Sequence, residues 1–139
     1  MDLLTPIRIA AAVISDTQGR TLLVKKRNTN FFMQPGGKLE PGETPPQTLA
    51  RELQEELGCT LITAEFLGQF SAPAANEPPR IVEALIYFAE IAGPVTPGGE
   101  IDEILWVDPN QTAALSLAPL TRDHVIPLIL SRRAKAATP

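Results

Sequence analysis

The sequence predicts an α/β fold in one domain spanning residues 1–139. Apolar, partly β-branched runs at 7–15, 21–26, 61–70 and 81–91 are interleaved with helix-forming stretches at 47–57 and 120–133. With 139 residues and an apolar fraction of 44%, the chain is long and apolar enough to bury one sizeable core. No internal repeat or linker divides it.

Residues 7–15 (IRIAAAVIS) read as a strand, Asp16, Thr17, Gln18 and Gly19 as a turn, and residues 21–26 as the returning strand of a hairpin. Lys25, Lys26 and Arg27 follow the apolar Leu22-Leu23-Val24 and are either a solvated strand end or phosphate contacts; of the three, Arg27 is the candidate for the second role. In the following NTNFFMQ, Phe31, Phe32 and Met33 are an apolar cluster in a polar setting. They serve the core, or one of them stacks on a base, a contact worth about 1–3 kcal/mol in single-strand binders.

The segment 36–59 reads GGKLEPGETPPQTLARELQEELGC. Residues 47–57 are good helix formers with no internal Gly or Pro. Thr44 suits the N-cap, Pro45 and Pro46 the first turn, and Gly58 the stop. On this helix Leu49, Leu53 and Leu57 make an apolar stripe, while Glu52, Glu55 and Glu56, at i, i+3 and i+4, share a neighbouring face. Like charges so spaced cost about 0.2–0.5 kcal/mol per pair. A divalent cation would remove the conflict, and all-oxygen sites suit Mg²⁺ or Mn²⁺. A solvated acidic face is the plain alternative. The preceding Pro35-Gly36-Gly37 favours the metal, because bare backbone can approach a ligand closely there.

After the helix, residues 61–70 are a strand and residues 71–80 (SAPAANEPPR) a loop, the candidate for substrate selection. Residues 81–91 suit a buried strand with Val82, Ala84, Ile86 and Phe88 on one face and Ile81, Glu83, Leu85 and Tyr87 on the other. Glu83 interrupts its set and is a candidate pocket acid. Residues 93–99 form a turn-rich loop leading to Glu100, Asp102 and Glu103, and Trp106 is expected in the core or a pocket wall. The closing helix at 120–133 contains Pro127, which should kink or break it. His124 is the only histidine and is expected to be structural; residues 134–139 read as a frayed tail.

The segment 37–59 resembles a Nudix box, G-x5-E-x7-R-E-U-x-E-E-x-G-U with U apolar. Gly37, Glu43, Arg51, Glu52, Leu53, Glu55, Glu56 and Gly58 match, with Cys59 in the final apolar place. The resemblance to Nudix hydrolases of the MutT type implies an α/β/α sandwich: a mixed β-sheet with the box helix on one side and the C-terminal helix on the other. It implies metal-dependent hydrolysis of a nucleoside diphosphate linked to another moiety. Glu52, Glu55 and Glu56 would be metal ligands with the Gly36 carbonyl, and Glu52 is the preferred base. Arg51 would pair with Glu43 and hold loop against helix, and Glu100 or Glu103 would add a further ligand. Arg27, Phe32, Gly37, Lys38 and Glu83 are the candidate substrate contacts.

For the substrate, a nucleoside triphosphate, oxidised or ordinary, is preferred over ADP-ribose or another nucleotide sugar. The latter subfamilies often carry a proline about where Pro73 stands. A non-catalytic nucleotide sensor is a third reading, disfavoured because all the box acids and Arg51 are present. A net charge of -4 argues against a nucleic-acid polymer as partner. One cysteine rules out an internal disulfide and fits a reducing compartment. No charged start with a long apolar run suggests a signal peptide and no apolar stretch suggests a membrane span, so a cytoplasmic monomer or homodimer is expected.

Overall fold

A computed structural model describes residues 5–77 and 79–136. Six strands and two α-helices follow in the order β1 (Ile7–Val13), β2 (Thr21–Lys26), β3 (Gly36–Lys38), α1 (Pro45–Leu57), β4 (Thr60–Pro73), β5 (Ile81–Ala92), β6 (Ile101–Val107) and α2 (Ile126–Ala136). A mixed four-stranded sheet has the order β3-β1-β5-β4, and β2 and β6 form an antiparallel pair. β1 runs parallel to β5 and antiparallel to β3.

Why β1 is apolar on both sides is now clear. Ala10, Ala12 and Ile14 pack with Leu49, Leu53 and Leu57 of α1, whereas Ala11 and Val13 pack with Val125, Ile126 and Ile129 beside α2. A sheet covered on both faces needs apolar residues at successive positions. β5 divides as its alternation predicts, Ala84 and Ile86 toward α2 and Tyr87 toward α1. Trp106 packs against the α1-side core. The layers are those of an α/β/α sandwich with its mixed sheet.

Three local expectations are corrected. The hairpin closes only at its turn, through an Asp16 N–H to Arg20 carbonyl bond and the Ser15–Thr21 bridge. Beyond it the strands part, because residues 33–38 insert between them: Val24 pairs with Met33, and Ala12 donates to the Pro35 carbonyl. β2 then pairs with β6 along Thr21–Lys26. The segment read as a glycine loop is therefore partly strand β3. At the C-terminus, Pro127 does not break the helix. It lacks a backbone N–H, and the preceding turn, Thr121–Val125, is π-helical, with the Ile126 N–H reaching back to the Thr121 carbonyl. α2 continues to Ala136, and residues 137–139 of the expected tail lie outside the described residues.

α1 begins and ends as its sequence dictates. Thr44 and Gln47 form a reciprocal capping box, and Gly58 takes the left-handed conformation (φ 69°) with its N–H on the Gln54 carbonyl. The β5–β6 loop closes over this end, Thr96 and Gly98 donating to the Leu57 and Glu56 carbonyls. Among the described residues, no helix is long and apolar enough to cross a membrane.

Gly36 has φ 151°, and a Cβ there would run into the Ala10 carbonyl, which is fixed backbone of β1. Gly42 also has positive φ (82°) but open space around it. Gly36→Ala should therefore lose about 2 kcal/mol or more, and Gly42→Ala only about 1–2 kcal/mol. Urea denaturation of the two variants checks the order.

Candidate active site

Arg51 is the centre of the site. Its guanidinium donates to both oxygens of Glu43 (Nε to Oε2, 2.8 Å; Nη2 to Oε1, 2.9 Å), to Glu52 Oε1 (2.8 Å) and to the Lys38 carbonyl (3.3 Å). The fork on Glu43 is the bidentate geometry that only arginine supplies. Thr48 Oγ1 and the Glu40 N–H also donate to Glu43. Chiefly because of the Arg51 hydrogen bonds, the Glu43 carboxyl is held down to about 2. Loop, strand β3 and helix are thus tied by one side chain.

The three helix carboxylates sit at different depths. Glu55 is exposed, its side chain 3.7 Å from Arg51. Glu52 is half-buried against Gly37, whose absent side chain makes room for it: a Cβ there would strike the Glu52 carboxylate. Glu56 is only 5% exposed and accepts a hydrogen bond from the Gly36 N–H at 3.2 Å. Burial raises its pKa to about 7, helped by the charges of Glu52 and Glu100 and opposed by Lys26 and the Gly36 N–H.

The register explains the Gly36 geometry. Ala12 donates to the Pro35 carbonyl and Leu39 to the Arg8 carbonyl. Hydrogen-bonded pairs alternate along an antiparallel ladder, so the Gly36 N–H turns away from β1 and reaches Glu56 of α1.

Among the described residues, no three acidic, histidine or cysteine side chains converge on one point. Glu52 bonds to Arg51 and Glu56 to the Gly36 N–H. The residues nonetheless fit a hard divalent cation. The donors are all oxygens, and around Glu56 the negative charges of Glu52 and Glu100 outnumber the one lysine, Lys26. Of the two acids beyond the box, Glu100 is the one whose charge acts on Glu56. Glu103 is exposed on β6 opposite Lys25. Local sequence could not separate them, because the closure of the β5–β6 loop onto α1 makes the difference.

A cleft of about 160 Å³ opens beside Gly36 and Gly37 on the α2 side of the sheet. Lys38 lines it and approaches Glu77 on the facing loop at 3.8 Å. Pro73 to Glu77 of the expected selecting loop also line it; Pro78 lies outside the described residues.

Three substrate candidates lie elsewhere. Phe32 is buried in the α2-side core, and Met33 takes the cleft position. Arg27 donates to the Gly99 carbonyl at 2.6 Å and by its N–H to the Glu100 carbonyl, so it straps the β5–β6 loop. Lys26, at the register irregularity that ends β2, lines the cleft instead. Glu83 is ion-paired with Arg8 at 3.1 Å, beside it in the β1–β5 register. His124 stacks on Phe70, consistent with a structural role. Sequence reading missed Gln34 and Thr121, whose side chains meet in the cleft wall at 2.8 Å although they are 87 positions apart.

The pKa of Glu56, about 7 against 4.5 for an ordinary glutamate, makes a pH prediction for the metal-free protein. The fold favours the protonated form, so this contribution is complete below about 4.5 and is lost as pH rises through 7. The wild type should lose stability from pH 5 to pH 8 relative to Glu56→Gln, measured by urea denaturation in chelator. Parallel curves would contradict the burial argument.

Comparison with known proteins agrees with this architecture. The family model for the NUDIX domain matches residues 5–129. An 8-oxo-dGTP diphosphatase of Haemophilus influenzae is 33% identical over 119 residues, which cover 81% of this chain and 84% of that protein. An ADP-ribose pyrophosphatase of Methanocaldococcus jannaschii is 29% identical over 119 residues, covering 84% of this chain and 68% of its own. The crystal structure of a MutT protein from Methanosarcina mazei superposes with a TM-score of 0.77, at 21% identity, over 99% of this chain and 100% of that one, a likeness of fold. With its box intact and its sandwich formed around that box, the chain belongs to the Nudix family of hydrolases.

Proposed function

We propose that the chain hydrolyses a nucleoside triphosphate, ordinary or oxidised, to a monophosphate and pyrophosphate. The observation that carries this is a cleft lined by Gly36 and Gly37, the same two residues that lie against Glu56 and Glu52 of α1. The Haemophilus relative, named for 8-oxo-dGTP, supports the same choice.

Glu52, Glu55, Glu56 and the Gly36 carbonyl, with Glu100, would hold the metal. Bound there, Mg²⁺ or Mn²⁺ supplies charge neutralisation for the phosphates and lowers the pKa of an attacking water. Glu52 takes the proton of that water. Arg51 fixes the Glu52 carboxylate through one oxygen, and Glu43 fixes Arg51. The absence of a side chain at Gly37 keeps the approach to Glu52 open. Lys26 and Lys38 offset phosphate charge along the cleft. Attack at one phosphorus breaks the bridging bond, and its electron pair leaves with the departing phosphate. Positioning and electrostatics do most of this work.

A second reading, hydrolysis of ADP-ribose or another nucleotide sugar, draws on Pro73 in the cleft wall and on the Methanocaldococcus relative. The partner in either reading is a small nucleotide.

The test is a product assay with Mg²⁺ or Mn²⁺ across dNTPs, 8-oxo-dGTP and ADP-ribose. Pyrophosphate with a monophosphate from a triphosphate is expected, and Glu52→Gln should lower kcat about 10²–10⁴-fold. AMP from ADP-ribose with triphosphates inert would install the second reading. Metal binding without turnover of any substrate would favour a nucleotide sensor.

A further inference from the structure

Among the described residues, the cleft wall contains one buried side-chain donor without a hydrogen-bond partner. Gln34 is 6% exposed and Thr121 fully buried, and both line the cleft. The Thr121 hydroxyl donates to Gln34 Oε1 at 2.8 Å. Gln34 Nε2 is buried with no hydrogen-bond partner. Buried amide donors are almost always paired, and an unpaired one is recovered only by an acceptor brought from outside.

The surroundings say what kind of molecule brings it. Met33, Ala118 and Leu120 line the same cleft, so the amide stands among apolar side chains that would contact a flat ring. Lys26 and Lys38 line the cleft with Gly36 and Gly37 and suit the phosphates. Because Thr121 occupies the amide oxygen, the amide presents donors rather than an acceptor.

We infer that the Gln34–Thr121 pair reads the base, Gln34 Nε2 donating to a ring carbonyl, so that 6-oxo purines and 4-oxo pyrimidines are bound in preference to adenine and cytosine. This rests on the nucleotide reading above and adds the base class to it. Thr121 acts as a positioning residue: its hydroxyl fixes which end of the amide meets the ligand. An amino base at that edge sets donor against donor and leaves Nε2 unpaired.

Calorimetric titration with GMP, UMP, AMP and CMP tests this without depending on which phosphate derivative is cleaved. The wild type should bind GMP over AMP, and UMP over CMP, by about tenfold. Gln34→Met should bring both ratios to within about twofold. Thr121→Val should blunt them in the same direction, and Thr121→Ser, which keeps the hydroxyl, should preserve them. Thermal unfolding of each variant separates lost recognition from lost fold. Equal affinities in the wild type, ratios that survive in Gln34→Met, or failure of all four nucleotides to bind would overturn the inference. Pyrophosphate release is followed on the same preparations. No release with the base preference intact removes the triphosphate reading alone, and release without any base preference removes this inference alone.

Discussion

The site depends on one guanidinium. Arg51 holds Glu43 from the loop, Glu52 from its own helix and the Lys38 carbonyl at the end of β3. No other residue type offers five donors in a rigid planar fork that stays charged at every working pH. Its surroundings are strongly acidic, with Glu40 and Glu55 at the edge of the same group. The arginine lets four glutamates stand together on a loop and one helix face.

That arrangement needs a rigid base, which the leucine stripe supplies. Leu49, Leu53 and Leu57 are fully buried against the sheet, so α1 cannot rotate to relieve charge on its other face. Glu56 stands beside this stripe and is carried inward to the Gly36 N–H. The β5–β6 loop then closes over the helix end and delivers Glu100. Burial that stabilises the fold disfavours the ionised Glu56 carboxylate, and a bound cation would relieve this. Stability and chemistry oppose each other at these positions, as they commonly do at functional sites.

The box helix was legible in the sequence because its signals are local and agree: Thr44 as cap, Pro45 and Pro46 in the first turn, an apolar stripe, and Gly58. Strands β4 and β5 were legible from their apolar runs, and the faces of β5 from its alternation. The hairpin was misread because a turn at residues 16–19 reports only on its own closure, whereas the partners of β1 and β2 are chosen by distant segments. β6 escaped notice because its acids obscure a short alternating pattern. Phe32, Arg27 and Glu83 were proposed by residue type, but the face of the strand or the course of the loop decides whether such a residue meets the cleft. Gln34 and Thr121 carry no local signal at all, since their meaning comes from a contact across the fold.

The most direct test of this account is Mn²⁺ binding, read by electron paramagnetic resonance, in the wild type and in Arg51→Lys. Lysine keeps the charge but loses the fork, so Glu43 and Glu52 can no longer be held at once. Supporting residues of this kind typically contribute about 10–100-fold to metal affinity. A loss in that range, with the fold intact by circular dichroism, is the predicted result. Unchanged Mn²⁺ affinity would show that the carboxylates find the metal without Arg51, and would contradict the account at its centre.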